Sequence, residues 1–338
     1  MRAQAEPVDG TLLAGDIGAT KTVLALYGSF PGPPLTQAIF RNREFAGFDE
    51  LLRGFVEGLT LTPAWACFGV AGPVLDEAVR MTNLDWVLAT NSLRETHGFR
   101  QVWLINDLVA NAMGAIHLPA SDLHVLNPGR IRPGAVTAVL APGSGLGEAF
   151  VIEHQGQLLP LPSEGGHASF APRTAEQMEL LSFLLARQDH VSVEQVCSGM
   201  AIPNLFAFQS SRCAPPDWLR AQLDAGADPT PTIVQAGLAA VQGGPPCETG
   251  VRTLRLFADI LADEAANLAL KTLALGGLFL GGGLAPRLLP FLAPERFLAI
   301  FARGGYRDWL QQIPIRVILN PETALLGAAA YGFAQLGR

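Results

Sequence analysis

Two apolar runs, each broken by a turn of small residues and then resumed, most constrain what this 338-residue chain can fold into. Leu12–Asp16 is apolar up to a carboxylate, Gly18-Ala19-Thr20 turns, and Thr22–Tyr27 resumes. Val136–Leu140 repeats the plan, with Ala141–Gly147 (APGSGLG) as the turn and Glu148–Ile152 as the return. Each reads as a β-hairpin. After the first come a helix near Phe48–Leu59, a strand at Trp65–Val70 broken by Ala71-Gly72-Pro73, and a strand at Gln101–Ile105 running into a helix at Leu108–Ile116. After the second come helices near Thr174–Arg187, Ser192–Cys197 and Cys247–Leu273, then a strand at Gly277–Leu280 ending in Gly281-Gly282-Gly283. A strand at Ile313–Leu319 and a helix at Thr323–Leu336 close the chain. Two α/β units of related plan account for this order, and the length suits two domains better than one.

Composition narrows the functional classes. Hydrophobic residues make up 49% and charged residues 16%, which favours packed cores over disorder. The formal net charge of −7 comes with no basic run, which argues against nucleic acid as a partner. A mean hydropathy of +0.28 raises the question of membranes. The most apolar stretch, Thr272–Leu284, carries five glycines and is too short for a span of about 20 residues. The opening MRAQAEPVDG lacks the apolar core of a signal peptide. Cys67, Cys197, Cys213 and Cys247 are far apart with no CxxC pair, so reduced thiols in a cytoplasmic protein are expected.

Four places carry candidate chemistry. At Asp16-Ile17-Gly18-Ala19-Thr20, small side chains let backbone N–H groups face a phosphate, and the acid can reach Mg²⁺ through water. An ordinary hairpin turn explains the same residues. Gly143-Ser144-Gly145-Leu146-Gly147 is harder to dismiss, since three glycines weaken a strand pair for no structural return. It is neither a Walker A motif nor a dinucleotide fingerprint. Asn106-Asp107 closes a buried strand, where a carboxylate can take a proton from a substrate hydroxyl. A helix N-cap is locally the stronger reading of that pair. Glu164-Gly165-Gly166-His167 lies in a loop where acid and imidazole can hydrogen-bond several sugar hydroxyls. A zinc site there lacks further ligands at suitable spacing. Glu194, at the start of an expected helix, reads as structural on its own.

Taken together, these segments resemble the bacterial glucokinase family of the hexokinase–actin–Hsp70 superfamily. The matching segments run in order along nearly the whole chain: GDIGAT (Gly15–Thr20), GVAGPV (Gly69–Val74), MTNLDW (Met81–Trp86), INDLVANAMG (Ile105–Gly114), APGSGLG, LPSEGGHASFAP (Leu161–Pro172), HVSVEQVCSG (His190–Gly199), GGLFLGGGLAPR (Gly276–Arg287) and NPETALLGAAA (Asn320–Ala330).

The resemblance implies an α/β fold of two RNase H-like, actin-like ATPase domains around a hinged cleft. Residues 1–116 with 309–338 would form the small domain and 117–308 the large one, the chain returning near Trp309 for its last strand and helix. It also implies transfer of the ATP γ-phosphate to the glucose 6-hydroxyl, and a homodimer. Asp107 would be the base, and Asn106, Glu164, His167 and Glu194 would bind sugar hydroxyls. Gly15, Asp16, Ile17, Gly18, Ala19, Thr20, Gly143, Ser144 and Gly145 would hold phosphates, with Asp16 near Mg²⁺. Gly281, Gly282 and Gly283 would lie against adenosine. The chain departs from the family at Ala19 and Ala141, where glycine is usual, and at Ser144, where threonine is common. An alanine in a left-handed turn position implies some strain at Ala19. Lys21 and Val23 stand where Asn and Arg are frequent, and Lys21 could add a charge near the phosphates. The alternatives are a kinase for another hexose or amino sugar, a non-catalytic sugar sensor, and a filament-forming ATPase. The zinc motif of the related repressor and amino-sugar kinase branch does not follow His167.

Overall fold

The first turn of small residues joins β1 (Val8–Ile17) to β2 (Lys21–Tyr27), paired antiparallel from Leu12 with Tyr27 to Ile17 with Thr22. The computed structural model describes residues 8–81 and 84–337. Most of the opening MRAQAEPVDG and the centre of Met81–Trp86 (Thr82 and Asn83) lie outside them. Then follow β3 (Thr36–Arg41), α1 (Phe48–Glu57), β4 (Pro63–Val70), β5 (Ala78–Arg80), β6 (Val87–Ala89), α2 (Thr90–His97), β7 (Gln101–Asn106) and α3 (Asp107–His117).

The strands form a five-stranded sheet of order β3-β2-β1-β4-β7, with β1, β4 and β7 parallel. Its central strands are apolar on both faces because helices cover both. Leu13 and Ile17 of β1 pack with Phe48, Leu51, Leu52 and Phe55, which α1 buries at i, i+3, i+4 and i+7. The neighbouring residues Leu12 and Ala14 point the other way, to Val109 and Ala110 of α3 and to Ala328 and Phe333 further along the chain.

The second region runs β8 (Leu123–Asn127), β9 (Thr137–Pro142), β10 (Leu146–His154), β11 (Gln157–Ser163), α4 (Ala175–Leu185), α5 (Ala201–Ser210), α6 (Asp217–Asp224), α7 (Pro229–Val241), α8 (Glu248–Thr272), β12 (Gly277–Leu280), α9 (Pro294–Phe301), α10 (Arg307–Leu310) and β13 (Ile315–Ile318). Its sheet has the order β11-β10-β9-β12-β13-β8. β9, β12 and β13 are parallel and β10 is antiparallel to β9. The first five strands of this order repeat the plan of the first sheet. One core runs beneath it, built from Ala138, Leu140, Leu278 and Leu280 with the buried faces of α5, α7, α8 and α9.

The last helix, α11 (Thr323–Gln335), packs on α3, β1 and β4. Its approach to α3 is backbone to backbone. A Cβ on Gly114 would overlap the Thr323 carbonyl, and one on Gly327 would overlap the Ala110 carbonyl. Among the described residues, one compact unit takes those up to Pro119, Glu153–Pro162 and those from Asn320 on. Ala120–Ile152 and Ser163–Leu319 make the other.

Three expectations change. β13 pairs with β12 and β8, so the last strand belongs to the second sheet, and only α11 joins the first after the chain passes Trp309. No helix forms at Ser192–Cys197, which is a series of turns. The Val193 and Glu194 N–H groups bond instead to the carbonyls of Ala168 and Gly166, at 2.9 and 2.8 Å. The stretch 201–241, where no element is expected, holds three helices.

Candidate active site

In the first sheet, register places the candidate residues on one edge. Ile17 pairs with Val70 and Val70 with Asn106, so the carboxyl ends of β1, β4 and β7 lie in one row. At the usual spacing, Ile17 and Asn106 stand about 10 Å apart across it. Open α/β sheets bind ligands outside the carboxyl ends of their strands. Glycines make this edge narrow: a Cβ on Gly15 would meet Phe68 at 2.6 Å, and one on Gly69 would meet Ala110 at 2.8 Å.

The turn at Gly18–Thr20 is closed by the Gly18 N–H donating to the Lys21 carbonyl at 3.0 Å. Ala19 is absent from the residues with positive φ, so the strain expected there does not arise. A residue the sequence did not flag holds the turn. Asn42, 1% exposed, donates from Nδ2 to the Gly18 carbonyl at 2.8 Å and accepts from Thr22 Oγ1 at 2.9 Å. Its backbone N–H donates to the Thr20 carbonyl at 3.1 Å. Sequence signal was slight, since Asn42 sits in a short 3-10 turn well downstream of the hairpin.

Asp16 lies just before the turn. Burial pushes its carboxyl up to about 6, and Lys21 pulls it the other way. Across the row, Asn106 is the N-cap of α3, its Oδ1 accepting from the Leu108 N–H at 2.9 Å. Its Nδ2 donates to the Gly72 carbonyl at 3.0 Å. Asp107 opens the helix, and its Oδ1 also accepts from Leu108 N–H, at 3.0 Å. The cap reading therefore holds for Asn106, while Asp107 stands at the strand end.

In the second unit the other candidates gather at the corresponding edge. β9 and β10 run further into the glycine turn than expected. Ala141 pairs with Gly147 inside the ladder and is 6% exposed. Gly143, Ser144 and Gly145 form the tip, closed by Gly143 N–H to the Gly145 carbonyl at 2.8 Å. The carbonyls of Gly143 and Ser144 accept from the N–H groups of Gly199 and Met200, at 2.8 and 3.1 Å. Beside this tip lies Gly281–Gly283, with Gly281 N–H donating to the Leu140 carbonyl at 2.9 Å. Gly282 has φ +71 and sits against the Pro142 backbone, so no other residue fits without strain.

The loop with Glu164 and His167 meets the same edge. Gly166 packs on the Leu146 carbonyl and its own carbonyl accepts the Glu194 N–H. Glu164 and His167 are exposed, with Oε2 and Nε2 3.8 Å apart. Glu194 Oε2 accepts the Leu146 N–H at 2.8 Å and lies where a Gly145 side chain would stand. Glu194, the loop carrying Glu164 and His167, and the second glycine tip are thus one hydrogen-bonded group. Among the described residues, no group of three or more His, Cys, Asp or Glu could hold a metal.

Comparison with known proteins follows the same segments. The family model described as Glucokinase matches residues 13–335. A glucokinase of Nostoc punctiforme is 37% identical over 337 residues, covering 94% of this chain and 97% of its own. The crystal structure of a glucokinase from an Antarctic psychrotroph superposes with a TM-score of 0.84 at 29% identity, covering 97% of this chain and 100% of that one. A glucokinase of the ROK family from Streptomyces griseus, solved with glucose and AMPPNP, shares the fold with a TM-score of 0.65 at 19% identity, covering 96% of this chain and 100% of that one.

Proposed function

The chain belongs to the glucokinase family, and we propose that it transfers the γ-phosphoryl group of ATP to the 6-hydroxyl of glucose. The observation that carries this reading is the row at the carboxyl ends of β1, β4 and β7. There a small-residue turn suited to phosphate and a carboxylate suited to proton abstraction share one edge.

Phosphoryl transfer asks little covalent chemistry of the protein, and positioning with charge stabilisation does most of the work. Asp107 takes the proton of the 6-hydroxyl as it attacks. Asn106, Glu164, His167 and Glu194 bind the remaining hydroxyls and fix the sugar's orientation. The Gly18–Thr20 turn takes one part of the triphosphate through the backbone N–H groups of Ala19 and Thr20, and the Gly143–Gly145 tip another through those of Ser144 and Gly145, the Gly18 and Gly143 N–H groups being spent on closing the two turns. Gly281–Gly283 leave a flat surface for adenosine. Asp16, ionised above about pH 6, is the protein group that reaches Mg²⁺. The cation supplies charge neutralisation on the phosphates when bound. The free thiols of Cys67, Cys197, Cys213 and Cys247 fit a reducing compartment, and the cytoplasm is the proposed location. The homodimer implied by the family remains part of this reading.

A coupled assay with Mg·ATP tests the reading on glucose, mannose, fructose, glucosamine and N-acetylglucosamine. Turnover with glucose well above the others is expected. Preference for another sugar would reassign the substrate, and glucose binding without turnover on any sugar would make the protein a sensor.

A further inference from the structure

Beneath the Glu164–His167 loop lie two carboxyls that no step of the reaction uses. Glu148 on β10 is 2% exposed and Glu264 on α8 is 4% exposed. Glu148 Oε2 fills the space that a side chain on Gly165 would need, so the loop rests directly on this carboxyl. The Glu148 and Glu264 side chains stand within hydrogen-bond reach of each other. Yet Oε1 of each is buried with no hydrogen-bond partner.

Two carboxylates cannot hydrogen-bond, because both only accept; one proton turns the pair into donor and acceptor. The surrounding charges favour that proton. Lys271, from the same helix as Glu264, has its Nζ 3.6 Å from Glu264 Oε1. It is a single cation against two acids, so one shared proton balances the cluster. Asn267 donates to Glu264 Oε2 at 2.9 Å. The Cys197 thiol, from the turns that carry Glu194, is held neutral by burial and by the charges of Glu264 and Glu148. Arg303 feels Glu264 but spends its hydrogen bonds on Asp263 and Asn267. Glu194 turns its carboxylate to the Leu146 N–H.

We propose that Glu148 and Glu264 share a single proton, and that this proton seats the loop bearing Glu164 and His167. Glu148 is then a positioning residue for glucose. The inference rests on the reading of that loop as the sugar site. Burial and the charge of Glu264 push the Glu148 carboxyl up to about 7, against the pull of Lys271. Below that pH the pair is joined. Above it two buried anions repel, the prop under Gly165 shifts, and the sugar side chains lose their placement.

The test is KM for glucose and for ATP between about pH 6 and pH 8.5, on either side of the Glu148 titration. In the wild type, KM for glucose is expected to rise about fivefold or more, roughly 1 kcal/mol, with KM for ATP steady. Glu148→Gln supplies a permanent donor to Glu264, so its KM for glucose stays low and flat across the range. A flat wild-type profile, or an equal rise in Glu148→Gln, overturns the shared proton. Glu164→Ala and His167→Ala separate the two ideas. If neither changes KM for glucose, the sugar-loop reading fails; if they raise it while the wild type stays flat, only the shared proton fails. Should Glu148→Gln not fold, Glu264→Gln serves the same comparison. Infrared spectroscopy of the wild type gives a second measurement: a protonated carboxyl band should vanish as pH rises through about 7, and its absence at about pH 6 overturns the proposal.

Discussion

The two glycine turns sit at matching places in two sheets that share a five-strand plan, yet they are fastened differently. The first is held by a neutral amide. Asn42 reaches in from outside the hairpin and touches no sugar candidate. The second is held by an acid that is itself a sugar candidate, since Glu194 accepts the Leu146 N–H at the base of the turn. Duplicated architecture therefore does not imply duplicated function. The first turn is fastened apart from every sugar candidate, while the second hydrogen-bonds to one of them, Glu194.

The comparison can be broken in order of expected effect. Asp107→Ala removes the proposed base from the first edge while leaving both turns intact. Turnover should fall about 10²-fold or more, with glucose binding still detectable by calorimetry. Near-normal turnover would detach the chemistry from that edge. Glu194→Ala should raise KM for glucose and KM for ATP together, each about tenfold, ~1.4 kcal/mol. Glu194→Gln keeps an oxygen for the Leu146 N–H, so it should restore the ATP value more fully than the glucose value. A rise confined to glucose would show that the second turn is independent of Glu194.

Asn42→Ala should raise KM for ATP about fivefold, ~1 kcal/mol, and leave KM for glucose unchanged. It strips partners from the buried Thr22 hydroxyl and the Gly18 carbonyl, so chemical denaturation should show a loss of about 1–3 kcal/mol. Equal effects on both substrates would make Asn42 a general structural residue. The smallest effect is in pH dependence. The Asp16 carboxyl is raised to about 6 in the fold, above its unfolded value of about 4. Between those values the folded chain keeps a proton that the unfolded chain has released. This contribution is full below about 4 and is lost as pH rises through about 6. Thermal melts without nucleotide should show that slope, and Asp16→Asn should remove it. Lys21→Met should extend the slope to higher pH, because Lys21 is the charge that pulls the Asp16 carboxyl down.

What the sequence made legible was local. Both hairpins, the strand ending at Asn106 and the cap on α3 follow from runs of apolar residues bounded by turn formers. What it hid depends on partners distant along the chain. Asn42 clamps a turn it does not border, and Glu148 meets Glu264 from another element. Where a helix is expected at Ser192–Cys197, the N–H groups of Val193 and Glu194 reach Ala168 and Gly166, and those of Gln195, Val196 and Cys197 close only three-residue turns. Local periodicity cannot reveal such an exchange. The resemblance implies a last strand in the first domain, and only the pairing of β13 with β12 and β8 places it in the second sheet. At Ala19, the concern about strain assumed a left-handed turn that the backbone does not make.

The close packing of α11 on α3 has a consequence for the order of synthesis. Gly114 and Gly327 let the two helices touch along their backbones, and Leu12, Ala14, Val23 and Cys67 share the same core as Ala328 and Phe333. A ribosome working at about 5–20 residues per second delivers α11 roughly 10–40 s after α3. Throughout that interval one face of the nascent first sheet is covered by α3 alone. The second unit can close its own core from a largely continuous stretch of chain while the first waits, so the earliest-made sheet is the last to be completed.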